Sequence, residues 1–575
     1  MSQINQNVGS FLIERLYGCG VRHIFGVPGD FVLGFYQQLI ESNKLKVINT
    51  CDEQGAGFAA DAYARINGLG VVCVTYCVGG LKVVNATAQA FAEKSPLVVI
   101  SGAPGINERR KNPLLHHKVK DFDTQQKIFE HITIDSVLLH DSTSATKGID
   151  RVLSSALQYK RPVYIELPRD IISQPIPSQE LHHQIGYASS SLLLSPTTQS
   201  TKLSEKESAT EIGSMEESLS EAAAMINSSK KPIIIAGVEI HRFRLQDKLL
   251  QLIDKTNIPV VATVLSKSVI TEDHPLYLGV YEGAMGYESI REYVESSDCL
   301  ILLGAPMTDI DFGISPTPIE QHRTIHLTSE NLSIKHHNFE NICLQDFITG
   351  LIQAPLIRRS SSIDIVRDSN KARYRAHNFD ALRGQKVTVQ RLFERLNLSI
   401  TDNTIIIADV GDSLFASLDL TVHGETEFLC PAYYLSMGFA VPASIGAQLA
   451  DPRLRPIVIV GDGAFQMTGM ELSTIARFKL KPIVVVLNNK GYGTERPMLD
   501  GPFNDILPWN YGNIPEVLGQ GKGFVIETED QLDEALTDAE KIYAKELCIL
   551  DVRLDIYDGS PALKRLTQTL GKKVH

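Results

Sequence analysis

Two polar turns near the C-terminus each follow an apolar run, at a spacing that could build a site for a metal ion and phosphate groups. Gly461-Asp462-Gly463 ends one run and Asn489 ends the next. The twenty-six residues between Asp462 and Asn489 allow a helix and a return strand, so parallel pairing would place both side chains at one edge of a sheet. Their oxygen atoms, with the Gly491 carbonyl, suit Mg2+, and the glycines let the backbone approach phosphate oxygens. A lone Gly-Asp-Gly is more often a plain strand-to-helix turn, but the second polar turn favours a site.

A second candidate for chemistry lies in the first third of the chain. Glu53 follows a predicted strand, 46–49, and precedes an Ala-rich helical stretch, 58–65. This places a carboxyl group at a strand end in a largely apolar setting, where it could exchange a proton with a bound group. Considered alone, an acid at this position more often caps the N-terminus of the helix.

Size and composition indicate a globular protein that acts on small molecules. The chain has 575 residues, which suggests about three domains. Its net charge of -12 argues against a nucleic-acid or anionic-membrane surface. The eight cysteines show no metal-ligand spacing, and no basic leader or apolar stretch long enough for a bilayer is present, so we expect a cytoplasmic protein with reduced thiols.

The hydrophobic pattern predicts an α/β protein. β-branched runs alternate with amphipathic segments, which indicates three domains, each a mainly parallel sheet with helices on both faces. The predicted organisation is an N-terminal domain at 1–185, a linker rich in Ser, Thr, Glu and Lys at 186–225, a middle domain at 226–358 and a C-terminal domain at 359–575. A polar helical stretch, 365–395, is expected to lead into the last domain. The predicted strands are 23–26, 46–49, 70–77, 96–102, 163–167, 231–237, 260–263, 299–304, 404–408, 455–460, 481–487 and 548–552.

Taken together, the motifs resemble those of the thiamine diphosphate-dependent 2-oxo acid decarboxylases, the group that includes pyruvate, indolepyruvate and phenylpyruvate decarboxylases. The N-terminal pattern is matched by residues 26–30, by Glu53 with its Ala-rich helix and by His116-His117; the C-terminal pattern is matched by 461–463 and 489–495. The resemblance covers essentially the whole chain, although the linker and middle domain match mainly in length. It implies that the first domain binds the pyrimidine of the cofactor and the third binds its diphosphate through Mg2+.

The resemblance also implies a role for each site residue. Glu53 would hydrogen-bond the aminopyrimidine, and Met437 would support the bend of the cofactor. The catalytic residues implied are Glu53, Asp30, His116, His117 and Glu495. The cofactor-binding residues implied are Glu53, Gly411, Ser413, Met437, Gly461, Asp462, Gly463, Ala464, Asn489, Gly491 and Tyr492, of which Asp462, Asn489 and Gly491 would hold the metal.

Three positions bear on the substrate. Leu414 stands where pyruvate-selective members tend to carry a bulky aromatic residue, and Thr494 stands where they carry a branched aliphatic one. Met498 is predicted to line the same pocket. The smaller side chains at 414 and 494 would admit a 2-oxo acid larger than pyruvate, either aromatic or longer aliphatic.

Several alternatives remain open at the level of sequence. The chain could be a pyruvate decarboxylase proper, a carboligase of the acetolactate synthase type, a decarboxylase of sulfonated or CoA-linked acids, or a catalytically silent scaffold. The resemblance further implies a homodimer or homotetramer with active sites at the subunit interface. We expect no nucleic-acid or membrane partner.

Overall fold

A computed structural model describes residues 6–177, 205–313, 320–360, 379–424, 427–542 and 545–574. Among these residues three sheets, each mainly parallel and flanked by helices, organise the chain, which confirms the predicted fold class. Within the same ranges, no helix combines the length and apolar character needed to cross a bilayer.

The first sheet is entirely parallel, and its six strands run in the order β2-β1-β3-β4-β6-β5. The strands are β1 His23–Gly26, β2 Lys46–Asn49, β3 Gly70–Val74, β4 Leu97–Ala103, β5 Asp135–Leu138 and β6 Val163–Pro168. The two central strands, β3 and β4, are buried along their whole length, as expected for a sheet covered on both faces.

The second sheet has seven strands in the order β13-β12-β11-β10-β7-β8-β9. The strands are β7 Pro232–Ala236, β8 Val260–Ala262, β9 Tyr277–Val280, β10 Cys299–Leu303, β11 Thr324–Leu327, β12 Leu332–Ile334 and β13 His337–Phe339. Only the pairings of β12 with its two neighbours are antiparallel.

The third sheet is again parallel, with six strands in the order β15-β14-β16-β17-β19-β18. The strands are β14 Thr404–Ala408, β15 Phe428–Leu429, β16 Arg455–Gly461, β17 Ile483–Asn488, β18 Lys522–Ile526 and β19 Cys548–Arg553. Because β16 and β17 are adjacent and parallel, the turns that follow them open at the same edge of the sheet.

The α-helices cover these sheets. In chain order they are Val8–Gly18, Leu33–Ser42, Glu53–Asn67, Val84–Ala92, Thr124–Glu130, Ser142–Tyr159, Glu205–Ser228, Val238–Arg242, Gln246–Thr256, Glu288–Glu295, Leu344–Gln353, Val389–Asn397, Asp412–Ser417, Ala440–Ala450, Asp462–Thr468, Leu472–Arg477, Ile514–Leu518, Glu529–Ile542 and Pro561–Val574.

Each predicted strand is present, but two helical segments differ from prediction. The helix Glu205–Ser228 occupies much of the predicted linker, because its C-terminal half buries Ala222 and Ile226 in the core of the middle sheet. The composition of the segment, rich in polar residues, instead predicts an exposed linker. Of the helical stretch predicted at 365–395, positions 365–378 lie outside the described residues, and the helix seen there begins only at Val389.

The described residues form two compact units. One contains those of 1–199 together with 441–453 and 468–480, and the other contains those of 200–440, 454–467 and 481–575. The first sheet lies in the first unit, and the second and third sheets lie in the second. The first unit has an apolar core around the first sheet, and the second unit has two, one around each of its sheets.

A fully buried ion cluster stabilises the first unit. The Arg65 guanidinium contacts the carboxylates of Asp61 and Glu93, at 2.8 Å in each case, and the side chains of all three are almost completely buried. The Arg65 guanidinium holds the pKa of Asp61 below its usual range, against the effect of burial.

Arg65→Met should therefore destabilise the protein by about 3–5 kcal/mol, because it leaves two buried carboxylates without their cation. The change is measured as a fall in the urea midpoint of the first unit. Lys127→Met is the matched control: it removes a 2.6 Å pair with Asp123 on the exposed surface and should leave that midpoint unchanged. Equal midpoints for Arg65→Met and wild type would contradict the assignment.

Candidate active site

Three oxygen-bearing groups converge where β16 and β17 end. The amide end of Asn489 lies 2.8 Å from the Gly491 carbonyl oxygen and 3.3 Å from Asp462 Oδ1. Turned one way, the amide nitrogen donates to both oxygens; turned the other way, the amide oxygen completes a set of three acceptors. Such an all-oxygen set fits a hard divalent cation.

The charge of Asp462 is held in a buried position. Its side chain is fully buried, and burial raises the pKa of the carboxyl to about 6. The backbone N–H groups of Gly463 and Gly491 oppose this rise by donating to its two oxygens at 2.8 and 3.2 Å. A cation bound here would compensate the burial of the negative charge.

Four of the predicted cofactor-binding residues lie around these three oxygen-bearing groups. Ser413 Oγ is buried and has no hydrogen-bond partner among the described residues, and a Cβ on Gly461 would lie 4.0 Å from it. A Cβ on Gly463 would come within 2.7 Å of the Tyr492 ring. The orphaned hydroxyl and the bare glycine backbone fit a group that brings its own acceptor oxygens, as a diphosphate does.

The other predicted residues of the second unit occupy defined places. Ala464 is buried in the helix Asp462–Thr468. Gly411 has φ +89°, a conformation that favours glycine. Thr494 lies over Gly411, where a Cβ would meet its Oγ1 at 2.8 Å. Leu414 is fully buried in the apolar core of the third sheet. Half-buried Met437 and Met498 and exposed Glu495 complete the set.

Glu53 is the first residue of its helix and lies just beyond the end of β2. The cap is supplied by the preceding residue, since the Asp52 side chain accepts a hydrogen bond from the Gln54 N–H at 2.8 Å. Glu53 is therefore not the capping residue, which answers the alternative raised from sequence. Its carboxylate is 13% exposed and pairs with Lys82 Nζ at 2.8 Å; Lys82 also contacts Asp52. These two carboxylates raise the pKa of Lys82.

A second buried acid holds the turn that carries Glu53. Glu471 accepts hydrogen bonds from the backbone N–H groups of Cys51, at 3.1 Å, and Asp52, at 3.0 Å, and from the Thr474 hydroxyl at 2.7 Å. A Cβ at Gly55 would lie only 2.3 Å from its Oε1. No local motif marks Glu471 or Lys82, because each acts through a contact with a residue distant in the sequence.

The first unit also brings Asp30, His116 and His117 together. His116 Nε2 lies 2.7 Å from Asp30 Oδ2, and the two imidazole rings meet edge to face at 4.8 Å. Phe31 stacks on the His116 ring at 4.7 Å. His117 Nδ1 is buried without a hydrogen-bond partner among the described residues.

A charged pair borders this cluster. The Arg169 guanidinium lies 4.0 Å from Asp30 Oδ2 and binds Glu108 in a fork, with 2.9 Å between Nε and Oε2. Arg169 lowers the pKa of Glu108. No local motif in the sequence marks this pair. Glu495 belongs to the second unit, whereas Asp30, His116, His117 and Glu53 belong to the first.

Three family models match the chain in order. They describe the N-terminal TPP binding domain, the central domain and the C-terminal TPP binding domain of thiamine pyrophosphate enzymes, at residues 6–128, 219–354 and 409–552. The first match contains the Asp30, Glu53 and His116-His117 positions, and the third contains the oxygen set around Asp462. The three matches place the chain in the class of thiamine pyrophosphate enzymes.

Relatives with similarity along the whole chain narrow that class. The indole-3-pyruvate decarboxylase of Azospirillum brasilense is 33% identical over 92% of both chains. A probable pyruvate decarboxylase of Schizosaccharomyces pombe and the alpha-keto-acid decarboxylase of Mycolicibacterium paratuberculosis are each 30% identical over 93% of this chain and 91% of theirs. The chain therefore belongs to the thiamine diphosphate-dependent 2-oxo acid decarboxylases, a family of carboxy-lyases.

Proposed function

We propose that the protein converts a 2-oxo acid larger than pyruvate, such as indolepyruvate or phenylpyruvate, or a longer aliphatic acid, to an aldehyde and CO2. The reaction is non-oxidative and depends on thiamine diphosphate and Mg2+. The observation that carries the proposal is the Asp30, His116 and His117 cluster, because carboligases that share the cofactor generally lack the pair of histidines. Similarity to the indole-3-pyruvate decarboxylase supports the substrate class.

The cofactor would be held at its diphosphate end by Asp462, Asn489 and the Gly491 carbonyl through Mg2+, with Ser413 and the glycine backbone on the phosphate oxygens. When bound, thiamine diphosphate supplies a carbanion that attacks the substrate carbonyl and an electron sink as CO2 leaves. Glu53 would hydrogen-bond the pyrimidine nitrogen, and its partner Lys82 limits the freedom of its carboxylate. Half-buried Met437 would supply an apolar surface beneath the bound cofactor.

The polar cluster has a separate task. Conversion of a 2-oxo acid anion to an aldehyde and CO2 takes up one proton at carbon, which the side chains of this cluster would supply. Asp30 and His116 form a 2.7 Å pair through which a proton can pass, and the second imidazole of His117 lies beside it. Glu495 is the fourth side chain that we propose for this relay.

Active sites shared between subunits follow from the same proposal. Because the family resemblance implies active sites at the subunit interface, we propose a homodimer as the smallest assembly and a homotetramer as the larger alternative. We also propose a cytoplasmic location, which the scattered spacing of the eight cysteines favours. The domain boundaries given above remain predictions.

Thr494→Ile should shift specificity toward pyruvate. Thr494 packs against Gly411, and a branched aliphatic side chain there would reduce the room for a large substituent on the substrate. We expect the ratio of kcat/KM for phenylpyruvate to that for pyruvate to fall about 10-fold or more. The ratio is its own control, since any loss of folded enzyme affects both substrates equally. An unchanged ratio would remove Thr494 from the substrate pocket.

The function is tested by steady-state decarboxylation of pyruvate, a branched-chain 2-oxo acid, phenylpyruvate and indolepyruvate, with thiamine diphosphate and Mg2+ present. The expected result is CO2 and the corresponding aldehyde, with the highest kcat/KM for an aromatic or longer aliphatic acid. Acetolactate as the main product from pyruvate would favour the carboligase instead. Absence of CO2 from every acid would favour the silent scaffold.

A further inference from the structure

One buried carboxylate connects two of the segments that are predicted to contact the cofactor. Asp409 immediately follows β14, two residues before Gly411, and its side chain is completely buried. Its Oδ1 accepts the N–H of Gly438 at 3.0 Å and its Oδ2 accepts the N–H of Ala440 at 2.8 Å. These donors lie on either side of Phe439, just after Met437. The carboxylate therefore links the Met437 segment to the end of β14 through two hydrogen bonds.

The turn that contains Met437, residues 435–440, has an unfavourable backbone conformation. Leu435 has φ +57° and Gly438 has φ +87°, and the left-handed region costs free energy for a leucine. Ala440 is also the first residue of its helix, so its N–H has no partner within that helix. Partners from outside the turn are therefore needed, and the Asp409 carboxylate supplies two acceptors.

A carboxylate suits this position better than other side chains of similar size. Burial raises the pKa of Asp409 to about 6, so the group is ionised at neutral pH and both oxygens accept hydrogen bonds. Its Oδ1 also accepts the N–H of Val410 at 2.9 Å. An asparagine would keep one acceptor but would turn an N–H2 group toward a backbone N–H, which leaves buried donors unpaired.

We propose that Asp409 is a positioning residue that sets the conformation of the turn 435–440 and, through it, the place of Met437 beneath the cofactor. The inference rests on the proposed function, from which the role of Met437 comes. It assigns Asp409 no contact with substrate or cofactor.

The test compares Asp409→Asn with Asp311→Asn. Asp311 is the matched control because it is also buried, because burial raises its pKa to about 6, and because it also accepts hydrogen bonds from backbone N–H groups, those of Thr308 and Val264. It lines a small cavity with Ala432 and Tyr433 but is not bonded to Gly438 or Ala440. A general loosening of the region should therefore affect both variants.

Two measurements are made on each variant. Hydrogen exchange of the peptide 433–442 is followed in the apoprotein, and the Kd for thiamine diphosphate is measured by calorimetry in the presence of Mg2+. In Asp409→Asn we expect exchange to be at least about tenfold faster and the Kd at least about tenfold higher, with Asp311→Asn within about twofold of wild type in both. Gly438→Ala, which disturbs the turn while keeping Asp409, should behave like Asp409→Asn and replaces it if that variant does not fold.

Wild-type exchange in Asp409→Asn would overturn the proposal, and so would faster exchange with an unchanged Kd. Neither measurement needs turnover. If the wild-type protein binds thiamine diphosphate but releases CO2 from no 2-oxo acid, the proposed function fails while the two measurements still decide the role of Asp409.

Discussion

Glu53→Gln should lower the turnover number of the holoenzyme by about 10²- to 10⁴-fold, the contribution expected of a positioned acid. Glutamine keeps the size and much of the hydrogen-bonding capacity of the side chain, so the Kd for thiamine diphosphate should change little. It cannot exchange a proton with the pyrimidine nitrogen. The expected pattern is therefore a collapse of kcat with retained cofactor, measured by steady-state kinetics and by calorimetry.

Asp52→Asn provides the control for this variant. Asp52 is the neighbouring acid of the same turn and contacts the same Lys82, so the change removes one negative charge from the same small region. Asparagine caps helices about as well as aspartate, so the helix should begin at the same residue. Turnover should stay within about threefold of wild type in Asp52→Asn. Equal losses in both variants would assign the effect to general electrostatics and not to Glu53.

Asp462→Ala should weaken the binding of thiamine diphosphate by about 100-fold or more, since it removes the anionic member of the oxygen set. The loss should appear in the Kd measured with saturating Mg2+. Asp505→Ala is the matched control: Asp505 is an exposed acid that pairs with Arg496 at 2.6 Å. Its replacement should leave the Kd unchanged. Full retention of cofactor by Asp462→Ala after gel filtration would contradict the metal site.

The position of each half of the site could be predicted because strand ends are encoded locally. Continuous β-branched runs identify buried parallel strands, and a polar residue that ends such a run must lie at the edge of the sheet. Asp462 and Asn489 are therefore expected to lie close together, and the structure brings their side chains within 3.3 Å of each other. The Ala-rich run 58–65 likewise predicts the helix that begins at Glu53.

The residues that support the site could not be predicted in this way. Glu471 contacts Cys51 across 420 positions of sequence, and no periodicity carries information over that distance. Asp409 holds a turn whose two left-handed residues have no local signature beyond one glycine. The helix Glu205–Ser228 falls largely within the predicted linker, because a mainly polar composition conceals the few apolar side chains that it buries. In each case the local structure depends on tertiary contacts that the neighbouring sequence does not specify.

The most direct test concerns the proton that Glu53 is proposed to move. Exchange of the C2 proton of bound thiamine diphosphate for deuterium can be followed by acid quench and NMR, without any substrate, in wild type and in Glu53→Gln. We predict that exchange is much faster in the wild-type protein than in free cofactor and is slowed by at least about 100-fold in the variant. Equal exchange rates in the two proteins, with cofactor bound to both, would contradict the account.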